Sequence, residues 1–256
     1  MSRVAIKTPA IFAQFPEVVA GITLRAGTQP PYQDANFGFR ALQAILSSDE
    51  HALIEASVIA ARQELATSLL GPQGKPAITH QTHSDLVIEA PSEGDIWGST
   101  EADAQVTTAS HLLLCELVAD CAGILLYDPE AKVIASVHSG WRGTKTNIIA
   151  KTILKMANRG ADPARLHAYI SPIACAKDYE VGPSFYELFD KKFMPTIDGR
   201  VCFDNRAAVT AQLRELGVTH IEADQGCTVE DNRFHSYRRD SQHSGRLAVF
   251  IGLRPR

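Results

Sequence analysis

The sequence predicts an α+β fold. Three observations carry this. The middle of the chain, Ala77 to Val137, is a succession of short β-rich runs. Helical patterns flank those runs instead of alternating with them, and no glycine fingerprint of a dinucleotide fold or a P-loop is present.

Ahead of the strands, "RAGTQPPYQDANFGFR" carries Gly27, Pro30, Pro31 and Gly38, which predict an exposed, turn-rich loop. From about Ser47 to Leu70, Leu53, Ile54, Val58, Ile59, Leu65, Leu69 and Leu70 recur at helical spacing. Ser47, Ser48 or Asp49 can cap that helix, and Gly71-Pro72 ends it. The strand runs follow as "AITHQTH", "DLVIEA", "ADAQVTT", "HLLLCELVA", "AGILLYD" and "KVIASVH", divided by Gly, Pro, Asp and Ser. Asn147 to Arg159 is helical again, with Gly160 as its stop. "LHAYISPIA" predicts a strand and "PSFYELFDKKF" a short helix, while "VTHIEADQGCT" and "GRLAVFIGL" predict closing strands.

A chain of 256 residues accommodates one large domain or two small ones, and can bury roughly three quarters of its unfolded surface. Its net charge of -4 leaves no basic excess, so neither nucleic acid nor a membrane surface is an expected partner. The best apolar stretch, "HLLLCELVADCAGILLYDP", is interrupted by Glu116 and Asp120, so no membrane span is expected. Pro9, Pro16 and Glu17 break the N-terminal segment, so no signal peptide is expected either. Five widely spaced cysteines do not suggest a disulfide framework, and the cytoplasm is the expected compartment. Periodicity predicts nothing about oligomeric state.

The chemistry concentrates in "VADCAGILLYDPEAKVIASVHSGWRG". Cys121 follows an aspartate, and His138 precedes Ser-Gly-Trp-Arg-Gly after two apolar runs separated by a turn. That spacing predicts two strand ends delivering a thiol and an imidazole to one point. His83, in "HQTHSDLV", adds a second imidazole. Taken singly, such a cysteine or histidine is ordinarily a structural residue. Together, two imidazoles and a thiolate suit zinc, with a fourth position open to water or substrate. No C-x-x-C pair closes the set, which favours a catalytic over a structural metal site. Gly140 and Gly143 give a tight backbone that a purely structural strand end rarely needs.

In order along the chain, "THQTHSDLV", "EADAQVTT", "LVADCAGILLYDP", "VIASVHSGWRGTKTNII", "ISPIACAKDYEVG" and "HSYRRDSQHSGR" resemble the motifs of the laccase-domain family, also called the polyphenol oxidase or purine nucleoside phosphorylase family. The resemblance runs from about Gly21 to Gly252. It implies a single domain, residues 1–256, of mixed β-sheets layered with helices. It also implies that His83, Cys121 and His138 hold the metal, zinc first and copper second. His80 stands where the family has another residue; three positions from His83 along a strand, it would also face the opposite way. Ser84 and Ser139 stand where Gly and Ala are common.

The resemblance further implies phosphorolysis of adenosine, inosine or methylthioadenosine to base and ribose 1-phosphate, with adenosine deamination in some members. The expected partners are thus a small nucleoside and phosphate. Cys121, His138 and Arg142 form the expected catalytic set. Arg142 is the first candidate for the anion, with Arg25 and Asn36 as further substrate-binding candidates. Asp120 is expected to support the ligands or the fold from behind, and Cys175 and Cys227 to pack near turns. Arg238, Arg239 and Arg246 are expected to form a solvated basic patch, with completion of an anion site as the alternative. Two other chemistries compete. A Cys121–His138 nucleophile and base could attack an amide, such as a cell-wall precursor, but would need no second imidazole. Copper could support polyphenol oxidation, although the nine histidines include no His-x-His pair and Met1, Met156 and Met194 lie in no suggestive motif.

Overall fold

A computed structural model describes residues 4–25, 35–39 and 46–255. In chain order the elements are β1 (Ile6–Lys7), β2 (Val18–Thr23), α1 (Ser48–Leu70), β3 (Lys75–Ile78), β4 (Val87–Glu89), β5 (Ala104–Thr107), β6 (Leu112–Val118), β7 (Ala122–Asp128) and β8 (Val133–Ser139). Then come α2 (Trp141–Lys145), α3 (Ile148–Ala157), β9 (His167–Ile170), β10 (Thr196–Ile197), β11 (Arg200–Val201), α4 (Asn205–Glu215), β12 (His220–Ala223), α5 (Tyr237–Asp240) and β13 (Leu247–Leu253).

Two mixed sheets form, ordered β1-β2-β13-β6-β3 and β12-β9-β7-β8-β5-β4. They pack face to face with helices on both outer sides, the layered α+β arrangement the sequence predicts. The period of two along each strand assigns the faces. On β6, Leu112 and Leu114 point between the sheets towards Leu125 and Tyr127 of β7. Leu113 and Cys115 point outward to Leu65, Ala66 and Leu70 of α1. On β7, Ile124 and Leu126 face Ile149, Ile153 and Met156 of α3 and Val209 and Leu213 of α4. Burial on both faces explains why "HLLLCELV" and "AGILLYD" read as nearly unbroken apolar runs.

Helix α1 starts as predicted. The Glu50 N–H donates to the Ser47 hydroxyl, and the Ser47 N–H donates back to the Glu50 carboxylate, a reciprocal pair that closes the first turn. Its buried stripe is Ile54, Val58, Leu65 and Leu70, whereas Leu53 is 74% exposed.

Two expectations are corrected. Positions 26–34 and 40 of the predicted loop lie outside the described residues, but its segment 35–39 is mostly buried, with Phe37 fully enclosed against α1 and the first sheet. "PSFYELFDKKF" forms two 3₁₀ turns, Pro183–Glu187 and Lys191–Phe193, instead of one short helix. Helix α4 and strands β1 and β2 form as well, without a predicted counterpart. Among the described residues, no helix is long and apolar enough to cross a membrane.

Glu116 sits fully buried between the sheets, accepting hydrogen bonds from Thr79 (3.1 Å) and Ser136 (3.0 Å). Burial pushes its carboxyl up to about 8, against those hydrogen bonds, which favour the charged form. The folded chain therefore holds this proton between about pH 4.3 and 8, where the unfolded chain has released it. Stability is lost as pH rises through that window, by up to about 1.4 kcal/mol per pH unit. Glu116→Gln, which keeps the neutral shape, should gain thermal stability relative to the parent as pH is raised from 5 to 8. An equal offset at both pH values would contradict a protonated Glu116.

Candidate metal centre

Strands β7 and β8 pair antiparallel, with Ala122 opposite Ser139 and Gly123 opposite His138. Cys121, just before β7, therefore meets His138, at the end of β8, as the spacing predicts. The connecting turn is held by Asp128, whose Oδ1 accepts the N–H groups of Glu130 and Ala131 at 2.8 and 2.9 Å. His83 arrives from a bend between β3 and β4 and adopts a left-handed backbone, φ 59°. Its Nε2 lies 4.0 Å from the Cys121 sulfur, and its ring meets that of His138 edge to face at 4.9 Å. One donor atom from each of His83, Cys121 and His138 falls within 4.8 Å of the other two.

Asp103, immediately before β5, fixes this arrangement and was missed in the sequence. Its fully buried carboxylate accepts the backbone N–H groups of Thr82 (3.2 Å), His83 (3.1 Å) and Ser84 (2.7 Å) and the Ser84 hydroxyl (2.6 Å). It also lies 2.8 Å from His138 Nδ1. Since an ionised carboxylate only accepts, Nδ1 carries the proton and Nε2 is left to face the cysteine and a metal. Burial alone would push the Asp103 carboxyl up, but hydrogen bonds from His138 and Ser84 outweigh it and hold it below the usual range. Ser84 thus contributes directly to the hub. The available signal was an acid between two alanines at the start of a buried strand.

Burial also opposes ionisation of Cys121, yet His138 and then His83 draw its thiol down to about 6. His138 is driven the other way, to about 10: burial lowers it, while Cys121 and Asp103 more than compensate. Each group thus favours the charged form of the other, a thiolate beside an imidazolium. Two imidazoles and a ready thiolate suit a borderline-soft divalent ion. Gly140 is required by close approach, because a Cβ there would meet the Cys121 sulfur at 3.0 Å and the His83 ring at 3.2 Å. Gly143 has no such constraint.

The three side chains open onto a cavity of about 680 Å³, within the usual range for small-molecule sites. Arg142 lines it, exposed and stacked on Trp141 with the guanidinium 4.4 Å from the ring centre. Arg238, itself exposed, and Arg246 line it too, where the alternative of an anion site places them; Arg239 is instead tied to Asp240 and to nearby carbonyls. Arg25 and Asn36 lie outside the lining. Arg25 lies 3.7 Å from Asp240 and is not among the lining residues. Asn36 is buried, its Oδ1 accepting the N–H groups of Gly38 (2.9 Å) and Arg246 (2.8 Å), so it shapes the wall from behind.

His80 lines the same cavity but stands outside the three-residue donor group, facing Glu101 at 4.0 Å. It is excluded for a different reason from the one expected, since β3 ends at Ile78 and the two histidines share no strand. Asp120 also lies on a bend. It accepts from the Thr228 hydroxyl (2.6 Å) and the Arg238 N–H (2.7 Å), a tie between loops.

A family described as multi-copper polyphenol oxidoreductase laccase matches residues 19–254. A purine nucleoside phosphorylase of Corynebacterium glutamicum is 36% identical over 241 residues, 90% of this chain and 92% of that protein. Another, of Deinococcus radiodurans, is 37% identical over 196 residues, 75% of this chain and 76% of that one. Among solved structures, the hypothetical protein YfiH of Bacillus licheniformis matches with a TM-score of 0.83 at 25% identity, covering 99% of this chain and 98% of its own. YlmD of Geobacillus stearothermophilus shares the fold, with a TM-score of 0.82 at 24% identity over 100% and 98% of the two chains.

In chelator-treated protein, Cys121 alkylation should follow a thiolate that forms through about pH 6. The fraction ionised rises with pH, so the rate should already be near its plateau at pH 7.5. His138→Ala should move the midpoint up towards the ordinary thiol value of about 8.5. A parent midpoint above 8 would contradict the thiolate–imidazolium pair.

Proposed function

The chain belongs to the multi-copper polyphenol oxidoreductase laccase family, and from that premise we propose that it is a zinc-dependent purine nucleoside phosphorylase acting as one domain over residues 1–256. The observation that carries the proposal is the composition of one cavity, where the His83, Cys121 and His138 donors meet aromatic walls and arginines. Trp141 and Tyr179 offer flat faces for a purine. Arg142, Arg238 and Arg246 offer planar guanidiniums for a phosphate. The relatives named as purine nucleoside phosphorylases support the same reading.

In phosphorolysis a phosphate oxygen forms a bond to ribose C1′ as the bond from C1′ to the purine nitrogen breaks. The arginines hold the phosphate dianion for that approach and neutralise part of its charge. The aromatic walls orient the base and exclude water, which would otherwise compete as nucleophile. Asp103 keeps the His138 proton on Nδ1 throughout. His83, Cys121 and His138 would hold the zinc ion, which would supply a Lewis acid in the cavity.

A Cys–His hydrolase is less well supported, because a dyad has no use for a second imidazole 4.0 Å from the same sulfur. Copper oxidation of phenols is also less well supported. Among the described residues the only other cluster of potential metal donors contains no histidine, and Met156 and Met194 are buried in helix and aromatic packing and do not line the cavity.

Purified protein should carry zinc and release adenine from adenosine only when phosphate is present, with both properties lost in Cys121→Ala. Inosine formed without phosphate would add adenosine deamination to the same pocket. Arg142→Ala should raise the KM for phosphate about tenfold to a hundredfold, the loss of one charge-assisted contact of about 1.5–3 kcal/mol. A metal-free protein inert towards nucleosides would overturn the proposal.

A further inference from the structure

Cys175 and Cys227 do not merely pack near turns, as the sequence suggested. We propose that Cys175, Asp178, Cys227 and Glu230 form a second cation site, for a soft divalent ion of the zinc type, which fastens the loop after β9 to the loop after β12. One donor atom from each of the four lies within 4.8 Å of the others. None of the four is a member of the His83–Cys121–His138 group, so this proposal does not rest on the function assigned to that group.

The sequence spacing is that of two facing knuckles, Cys175-x-x-Asp178 and Cys227-x-x-Glu230. Zinc sites built from two C-x-x-C pairs use the same spacing, because a tight turn brings residues i and i+3 to one side. Each pair sits on a closed turn: the Asp178 N–H donates to the Cys175 carbonyl, three residues back, and the Asp231 N–H to the Cys227 carbonyl, four residues back, each at 3.0 Å. Cys175 also donates its backbone N–H to the Cys227 sulfur at 3.2 Å, the kind of contact that steadies a thiolate ligand.

The donors converge. Asp178 Oδ2 lies 3.1 Å from the Cys175 sulfur and 3.3 Å from that of Cys227, and Glu230 Oε2 lies 4.0 Å from Cys175. Lys177 holds the other oxygen of Glu230 and so aims the carboxylate. The two sulfurs are 2.7 Å apart, beyond the roughly 2.05 Å of a disulfide. A tetrahedral ion with zinc–sulfur bonds of about 2.3 Å would part them to about 3.8 Å. A disulfide would have no use for two carboxylates directed at the same point. On binding, each sulfur forms a bond to the ion and releases its proton to solvent, with no change of oxidation state.

The position gives the site a structural consequence. Arg238 donates to the Asp178 carbonyl at 3.1 Å and stacks on Tyr179 at 4.1 Å, so both cavity residues hang from the first knuckle. Thr228, next to Cys227, donates to Asp120 beside the metal centre. Closing the cluster would therefore steady the Tyr179–Arg238 wall.

The test uses zinc alone on chelator-stripped protein, with alkylation followed residue by residue by mass spectrometry. Zinc should protect Cys175 in the parent, and equally in a His83→Ala/Cys121→Ser variant, which should still bind one equivalent. With cobalt in place of zinc, that variant should show a thiolate-to-metal charge-transfer band, lost when Cys175→Ser and Cys227→Ser are added to it. Glu230→Gln, at an exposed position, should weaken zinc binding by about tenfold. Alkylation of Cys175 in the parent that is unchanged by zinc would overturn the proposal. So would a Cys175–Cys227 linked peptide, two hydrogens lighter, from protein kept under reducing conditions. Failure of the His83–Cys121–His138 reading alone would leave zinc protection of Cys175 intact.

Discussion

A single buried carboxylate, Asp103, holds the proposed metal centre together. It gathers three consecutive backbone N–H groups, from Thr82 to Ser84, into one anchor and so supports the left-handed turn at His83. From the other side it takes the Nδ1 proton of His138, which decides which ring nitrogen can face a metal. A buried charge of this kind is tolerated only when its lone pairs are satisfied, and here they are. The bend carrying His83 is thus fixed to the sheet carrying Cys121 and His138 by one group.

Glu116 shows how far environment decides the state of a carboxyl. Both acids are fully buried. Asp103 receives backbone amides and a histidine and stays ionised; Glu116 receives hydroxyls between two sheets and keeps its proton. The paired sheets make both situations available. They bury β6, β7 and β8 on both faces, and the site forms where β7 and β8 emerge at one edge of that core.

The hairpin that unites Cys121 and His138 was legible, because a thiol, two apolar runs and an imidazole follow one another within a single local unit. Helix α1 was legible for the same reason: its caps and its apolar stripe are local. Asp103 was not, since its role depends on a loop twenty residues away in sequence and on depth of burial. Arg25 and Asn36 were assigned to the anion by proximity to a turn-rich loop, but Arg25 lies against Asp240, while Asn36 turns inward to hold the Arg246 backbone. Arg238 and Arg246, which do line the cavity, looked like surface charge because the loops that expose them to it are joined only in three dimensions. The meeting of Cys175 with Cys227, 52 positions apart, was hidden in the same way.

Whether Asp103 holds the centre together is read from the zinc affinity of Asp103→Asn, measured by chelator competition against the parent with the fold checked by circular dichroism. An amide can still accept hydrogen bonds, but it cannot hold the charge that orients His138. The variant should fold, and its affinity at the His83–Cys121–His138 centre should fall about tenfold to a hundredfold. A folded variant that binds zinc there as tightly as the parent would contradict it.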